Sequence, residues 1–239
     1  MPVEVFLPPV APPLVTWGIG GLAVLVATGA VASLRAAARR SGQLTDRAVL
    51  LGAAAVAGWM GLTWGLAAAG LLARFDAVPP PAILVLGSVG LLGLSVALSP
   101  VGRVLASLPW VWLVGFQAFR LPLEVVMHEA AVAGVMPVQM SYSGRNPDIL
   151  TGATALALAG WLWLGSTDRR VLWAWNLLGL GLLVNIVAVA VASTPLFRAF
   201  GDEHLNTWVF FPPFVWLPTV LVMAALIGHV VMIRKLRGT

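Results

Sequence analysis

Ser107 to Gly134 reads SLPWVWLVGFQAFRLPLEVVMHEAAVAG. The segment is apolar and long enough to cross a bilayer, whose hydrocarbon core takes roughly 20 residues of helix. Yet it carries Gln117, Arg120, Glu124 and His128. At 100° per residue these four side chains fall within an arc of roughly 80° on one helix face. In water that stripe is an ordinary solvated face. In lipid every ionised group on it is costly, so a membrane helix has to turn the stripe toward the bundle interior or a wet cavity. The solvent decides the fold, and the rest of the chain decides the solvent.

The 239-residue chain is 60% hydrophobic and 10% charged, with a mean hydropathy of +0.96. Soluble domains carry about a quarter charged residues. Apolar runs follow one another at 14–35, 47–72, 80–100, 107–134, 149–166, 171–193 and 210–233, and the short connections leave no room for a soluble domain. The expectation is one all-α domain over residues 1–239, a polytopic transmembrane bundle of about seven helices. The absence of cysteine excludes disulfides, thiolate chemistry, iron–sulfur clusters and Cys-ligated zinc.

The net charge of +5 is a topology signal and not a nucleic-acid footprint, because the basic residues lie between and after the runs. Arg35, Arg39, Arg40, Arg47, Arg103, Arg169, Arg170, Arg234, Lys235 and Arg237 fall in alternate connections and the C-terminus. The opposite connections hold only Arg74, Arg145 and Arg198, with most of the acids. The positive-inside rule then predicts an outer N-terminus, a cytoplasmic C-terminus and an odd helix count. A bacterial inner membrane fits this pattern. The opening MPVEVFLPPVAPP lacks the basic start of a secretory signal and reads as a retained, outward-facing tail. Small residues at Gly61 and Gly65, at Gly87, Gly90 and Gly93, and at Gly179 and Gly181 predict close helix packing within the chain. Trp17, Trp110, Trp112, Trp208 and Trp216 follow an interfacial-belt pattern.

On the fourth run Arg120 and Glu124 stand one turn apart and can neutralise each other, with Pro122 between them loosening the ladder. The loop after it reads GVMPVQMSYSGRNPDILTGAT, Gly134 to Thr154. Asn146-Pro147-Asp148 is a helix start, with Asn146 as the cap. Arg145 at that positive helix end would favour an anionic or carbonyl-bearing guest. Asn185, in the middle of the sixth run, needs a partner, and His204 lies on the outer 6–7 loop. His229 reads as an interfacial or packing residue near the cytoplasmic end.

The set Phe119-Arg120-x-Pro122-x-Glu124-x-x-x-His128, Pro137-x-Gln139-Met140 and Gly144-Arg145-Asn146-x-Asp148-Ile149 resembles a group of bacterial polytopic membrane proteins. Phe214-x-Trp216-Leu217-Pro218 and His229 resemble the last helix of that group. The resemblance covers roughly residues 105–235 and implies the fold and the choice of residues, with no activity attached.

A retinal protein needs a lysine inside its last helix, and the only lysine is Lys235 at the cytoplasmic end. Haem would need axial ligands that His128 and His229, read at opposite faces, do not supply together. A repeat-built sugar carrier would carry its polar residues on matching halves. The leading expectation is an outward-facing intramembrane site that binds, senses or transports a small polar or anionic molecule or a lipid head group. Its residues are Gln117, Arg120, Glu124, His128, Arg145, Asn146 and Asn185. One alternative is a metal-dependent hydrolase with Glu124 and His128 as catalytic candidates and Glu124, His128 and His204 as metal ligands. The other is an accessory subunit of a larger membrane complex, with an Arg–Glu pair serving as scaffold. Beyond the bilayer and membrane partners of that kind, the residues name no cofactor.

Overall fold

The computed structural model describes residues 6–238; residues 1–5 of the expected outer tail, Glu4 among them, lie outside the described residues. Helices and short helical turns make up the regular structure, with no strand among the described residues. Seven principal helices follow the seven predicted runs. They are α1 Pro13–Ser41, α2 Asp46–Ala68, α3 Pro81–Leu98, α4 Trp110–Val132, α5 Ile149–Trp163, α6 Arg169–Ala192 and α7 Leu217–Arg237. All but α5 are long and apolar enough to cross a membrane.

Local chemistry sets the boundaries. Proline opens α1 and α3, where its missing N–H costs nothing. The Thr45 hydroxyl caps α2 by accepting from the Ala48 N–H at 3.2 Å, and the Asp168 carboxylate caps α6 at the Arg170 N–H. Gly42 ends α1 in the left-handed region (φ 66°) and donates to the Ala38 carbonyl. That helix runs six residues beyond the predicted Arg35, so Arg39 and Arg40 occupy its last turn, where cations suit the negative helix end.

Val15, Ile19, Ala23 and Val26 of α1 belong to one buried cluster with Phe119, Leu123 and Met127 of α4, and the two helices pack together. α3 and α6 pack along α7, and α5 packs along α4. Half of the apolar window of α7 is buried inside the protein, against 11% for α2, so α7 is central and α2 peripheral. The outside is apolar: Leu25, Leu51, Leu91, Val132, Leu177 and Val184 are exposed. A belt of that kind on helices of this length is a lipid-facing surface. The chain is a multi-pass integral membrane protein.

Two expectations change here. The helix of the fifth run is shorter than the run. At 15 residues α5 spans about 22 Å, short of the roughly 30 Å hydrocarbon core. Its N-terminus starts inside the bundle, where Asp148 and Asn146 are buried and Asp148 meets Arg120 of α4, and the 4–5 connection dips in to meet it. Irregular backbone is tolerated at such depth only where protein surrounds it. Met140, Ser141 and Asn146 in that connection are buried accordingly. The seventh run starts at Leu217 and not at 210, because Trp208–Phe210 is a separate turn. Trp208 is buried against Phe214, outside any interfacial belt.

The first turns of α7, Leu217–Val222, are a π-helix entered at Pro218. A π-turn shifts the hydrogen-bond ladder and frees backbone groups for outside partners. The Trp59 indole of α2 takes the Thr219 carbonyl at 2.8 Å, and the Trp216 indole donates to the Met60 carbonyl at 3.1 Å.

Candidate functional site

Arg120 stands in the middle of α4 and is 1% exposed. Its Nε donates to Asp148 Oδ2 at 2.7 Å, and one terminal nitrogen donates to Asp148 Oδ1, a two-pronged fork on the carboxylate. The other terminal nitrogen donates to the Gly179 carbonyl at 3.3 Å and to His229 Nε2 at 2.9 Å. An arginine only donates. His229 Nε2 therefore accepts, its proton sits on Nδ1, and Nδ1 donates to Asn176 Oδ1 at 2.8 Å. The Asn176 amide returns a bond to the His229 carbonyl at 3.2 Å. The network joins α4, the start of α5, α6 and α7.

The expected Arg120–Glu124 neutralisation is not what forms. Asp148 takes the guanidinium because α5 begins inside the bundle, at the depth of Arg120. Glu124 is 2% exposed, and among the described residues the Asn146 amide is its one donor, at 2.8 Å. Asn146 is the keystone of the dipping loop. Its amide also reaches the Met140 carbonyl at 3.0 Å, while its Oδ1 accepts from the Asp148 N–H at 3.2 Å. That Asx turn starts α5 two residues later than the predicted cap.

Beside Glu124 lies a cavity of about 30 Å³, room for one water-sized guest. Its walls come from α4 (Phe119, Glu124), α6 (Leu183, Ile186) and α7 (Leu217, Leu221), with Arg120 and Asp148 at its edge. The π-turn of α7 thus forms one wall.

The other predicted residues are placed apart. Gln117 is buried and donates to the Ala225 carbonyl of α7 at 3.2 Å. His128 is half-buried, with Nδ1 2.9 Å from the Ser141 hydroxyl and its ring stacked on Tyr142 at 4.3 Å. It does not converge with Glu124. Ser141 is itself buried and accepts from the Ser143 N–H, a turn-forming role. Arg145 is exposed, with its guanidinium 5.2 Å from the Phe200 ring, and its carbonyl accepts from Asn185 at 2.8 Å. His204 is exposed and lends its backbone carbonyl to Gln139. Among the described residues no three His, Asp or Glu side chains are placed to share a metal ion. The Glu124–His128–His204 grouping does not assemble.

Helix spacing does not bring Asp148, His229, Asn176 or Gly179 into the candidate ligand-binding set, although the resemblance pattern includes Asp148 and His229. A last run that starts at 210 puts His229 toward the helix end; with α7 at Leu217–Arg237 it lies mid-span, level with Arg120. Gly179 is a close approach of the kind its small size predicts: a Cβ there would sit 2.6 Å from His229 Cε1. No protein-family model matches the chain, and neither the curated proteins nor the solved structures yield a match.

Proposed function

We propose that the chain is a sensor or carrier that takes up a small hydrogen-bond-donating guest, of water to ammonium size, beside Glu124. One observation carries this: a carboxylate sunk in the bundle has a single protein donor among the described residues and borders a small cavity. Buried carboxylate oxygens are normally paired, and a donor-bearing guest would complete the set. An anionic guest is disfavoured, because Arg120 spends four of its five N–H groups on protein acceptors and two carboxylates border the space. The 4–5 loop serves as the cap. It is tied to α4 by Asn146 and to α6 by the Gln139 amide on the Ser193 hydroxyl at 3.0 Å. The π-turn of α7 is the wall best suited to move, since π-turns recur where helices rearrange or bind. The segregation of basic residues supports a reading in which the capped end faces outward from a bacterial inner membrane.

The test is thermal unfolding of the detergent-solubilised protein with ammonium or tetraethylammonium chloride at equal ionic strength. Saturable stabilisation by ammonium alone, absent in Glu124→Gln, is the expected result. Equal shifts from both salts, or an ammonium effect that survives Glu124→Gln, would refute the site.

A further inference from the structure

At the opposite, basic end of the bundle a second recess of about 310 Å³ opens between the starts of α4 and α6 and the end of α7. Trp110, Thr167, Arg169, Leu172, Lys235 and Leu236 line it. Lys235 is held in place: its ammonium donates to the Ala106 carbonyl at 2.9 Å and to the Leu108 carbonyl, and lies 4.9 Å from the centre of the Trp110 ring. Arg169 donates from one terminal nitrogen to the Leu236 carbonyl. Its remaining N–H groups have no partner among the described residues. Among the described residues no acid lines the recess, and the nearby Asp168 carboxylate is engaged in capping α6.

We infer that this recess binds a phosphate-bearing anion. Two cations line the recess, the N–H groups of Arg169 not spent on Leu236 match phosphate oxygens, and the volume lies at the small end of ligand sites. Leu172 and Leu236 offer an apolar floor. The exposed Trp163 and Leu164 set this end at a lipid–water boundary, where basic recesses between helices hold anionic head groups. The same chemistry would accept a soluble phosphate ester.

Native mass spectrometry of the solubilised chain separates the sources. Phosphatidylglycerol, phosphatidylcholine, glycerol 3-phosphate and inorganic phosphate are titrated against wild type, Arg169→Gln and Arg47→Gln, the last an exposed arginine outside the recess. Expected is one retained phosphatidylglycerol per chain, held about fivefold more weakly by Arg169→Gln and unchanged by Arg47→Gln, with phosphatidylcholine not retained. Displacement of that lipid by glycerol 3-phosphate or inorganic phosphate would keep the site and assign it to the soluble source. Equal retention of both lipids, an unaffected Arg169→Gln, or an equal loss in Arg47→Gln would overturn it. Thr167→Trp fills the recess while leaving both cations. If Arg169→Gln does not fold, phosphatidylglycerol retained at full strength by Thr167→Trp counts against the site.

Discussion

Arg120 is held by partners from three other parts of the chain, and each partner answers a different need. Asp148 neutralises the charge, Gly179 and His229 take the donors of the other terminal nitrogen, and Asn176 fixes the histidine proton. Removing one member of a buried ion pair leaves the other uncompensated, at about 3–5 kcal/mol. Asp148→Asn is therefore expected to lose stability in that range, read by thermal unfolding in detergent. Glu124→Gln keeps its acceptor for Asn146 and is expected to lose less than about 1 kcal/mol. Equal losses in the two variants would contradict the division between a structural pair and a guest-facing carboxylate. Gly179→Ala forces a methyl onto His229 and is expected to cost about 1–3 kcal/mol. Gly181→Ala, with open space around it, is expected to be silent in the same assay. The polar stripe of α4 was legible because an Arg in a span demands shelter. Its partner was not. Spacing along one helix points to Glu124, whereas Asp148 arrives through a loop whose depth no periodicity reports.

The elements were legible from length and apolarity alone, because a bilayer imposes one helix length on every full crossing. The exceptions are the elements that build the site. α5 reads as a span because its apolar run continues past Trp163, although its helix stops there. α7 reads as starting at 210 because Phe210 and Phe211 are apolar, although they belong to a buried connection. Glycine spacing also misled in part. Gly93 meets Leu226 of α7, whereas a Cβ at Gly61, Gly65, Gly87 or Gly90 would meet nothing within 4 Å. The π-turn of α7 is held by the Trp59 indole, so Trp59→Phe is expected to cost about 1 kcal/mol and to loosen that turn. Faster hydrogen exchange confined to Leu217–Val222 would show it, and unchanged exchange there would speak against the tether.

At the scale of the whole molecule, charge is segregated by end, and the two candidate sites lie at different depths. One lies beneath the capped end and the other at the basic end. The chain has no cysteine, so single cysteines report topology directly. Ser143→Cys is expected to react with a membrane-impermeant maleimide on intact cells, and Thr167→Cys only after permeabilisation. The reverse pattern would invert the bundle. The most direct measurement is a density map of the protein in lipid nanodiscs, resolved well enough to show ordered water and prepared in ammonium salt. An isolated density within hydrogen-bonding distance of Glu124, enclosed by α4, α6 and α7 beside the Arg120–Asp148 fork, is the expected result. Arg120 and Glu124 turned onto acyl chains, or Glu124 saturated by protein donors with the space closed, would contradict it.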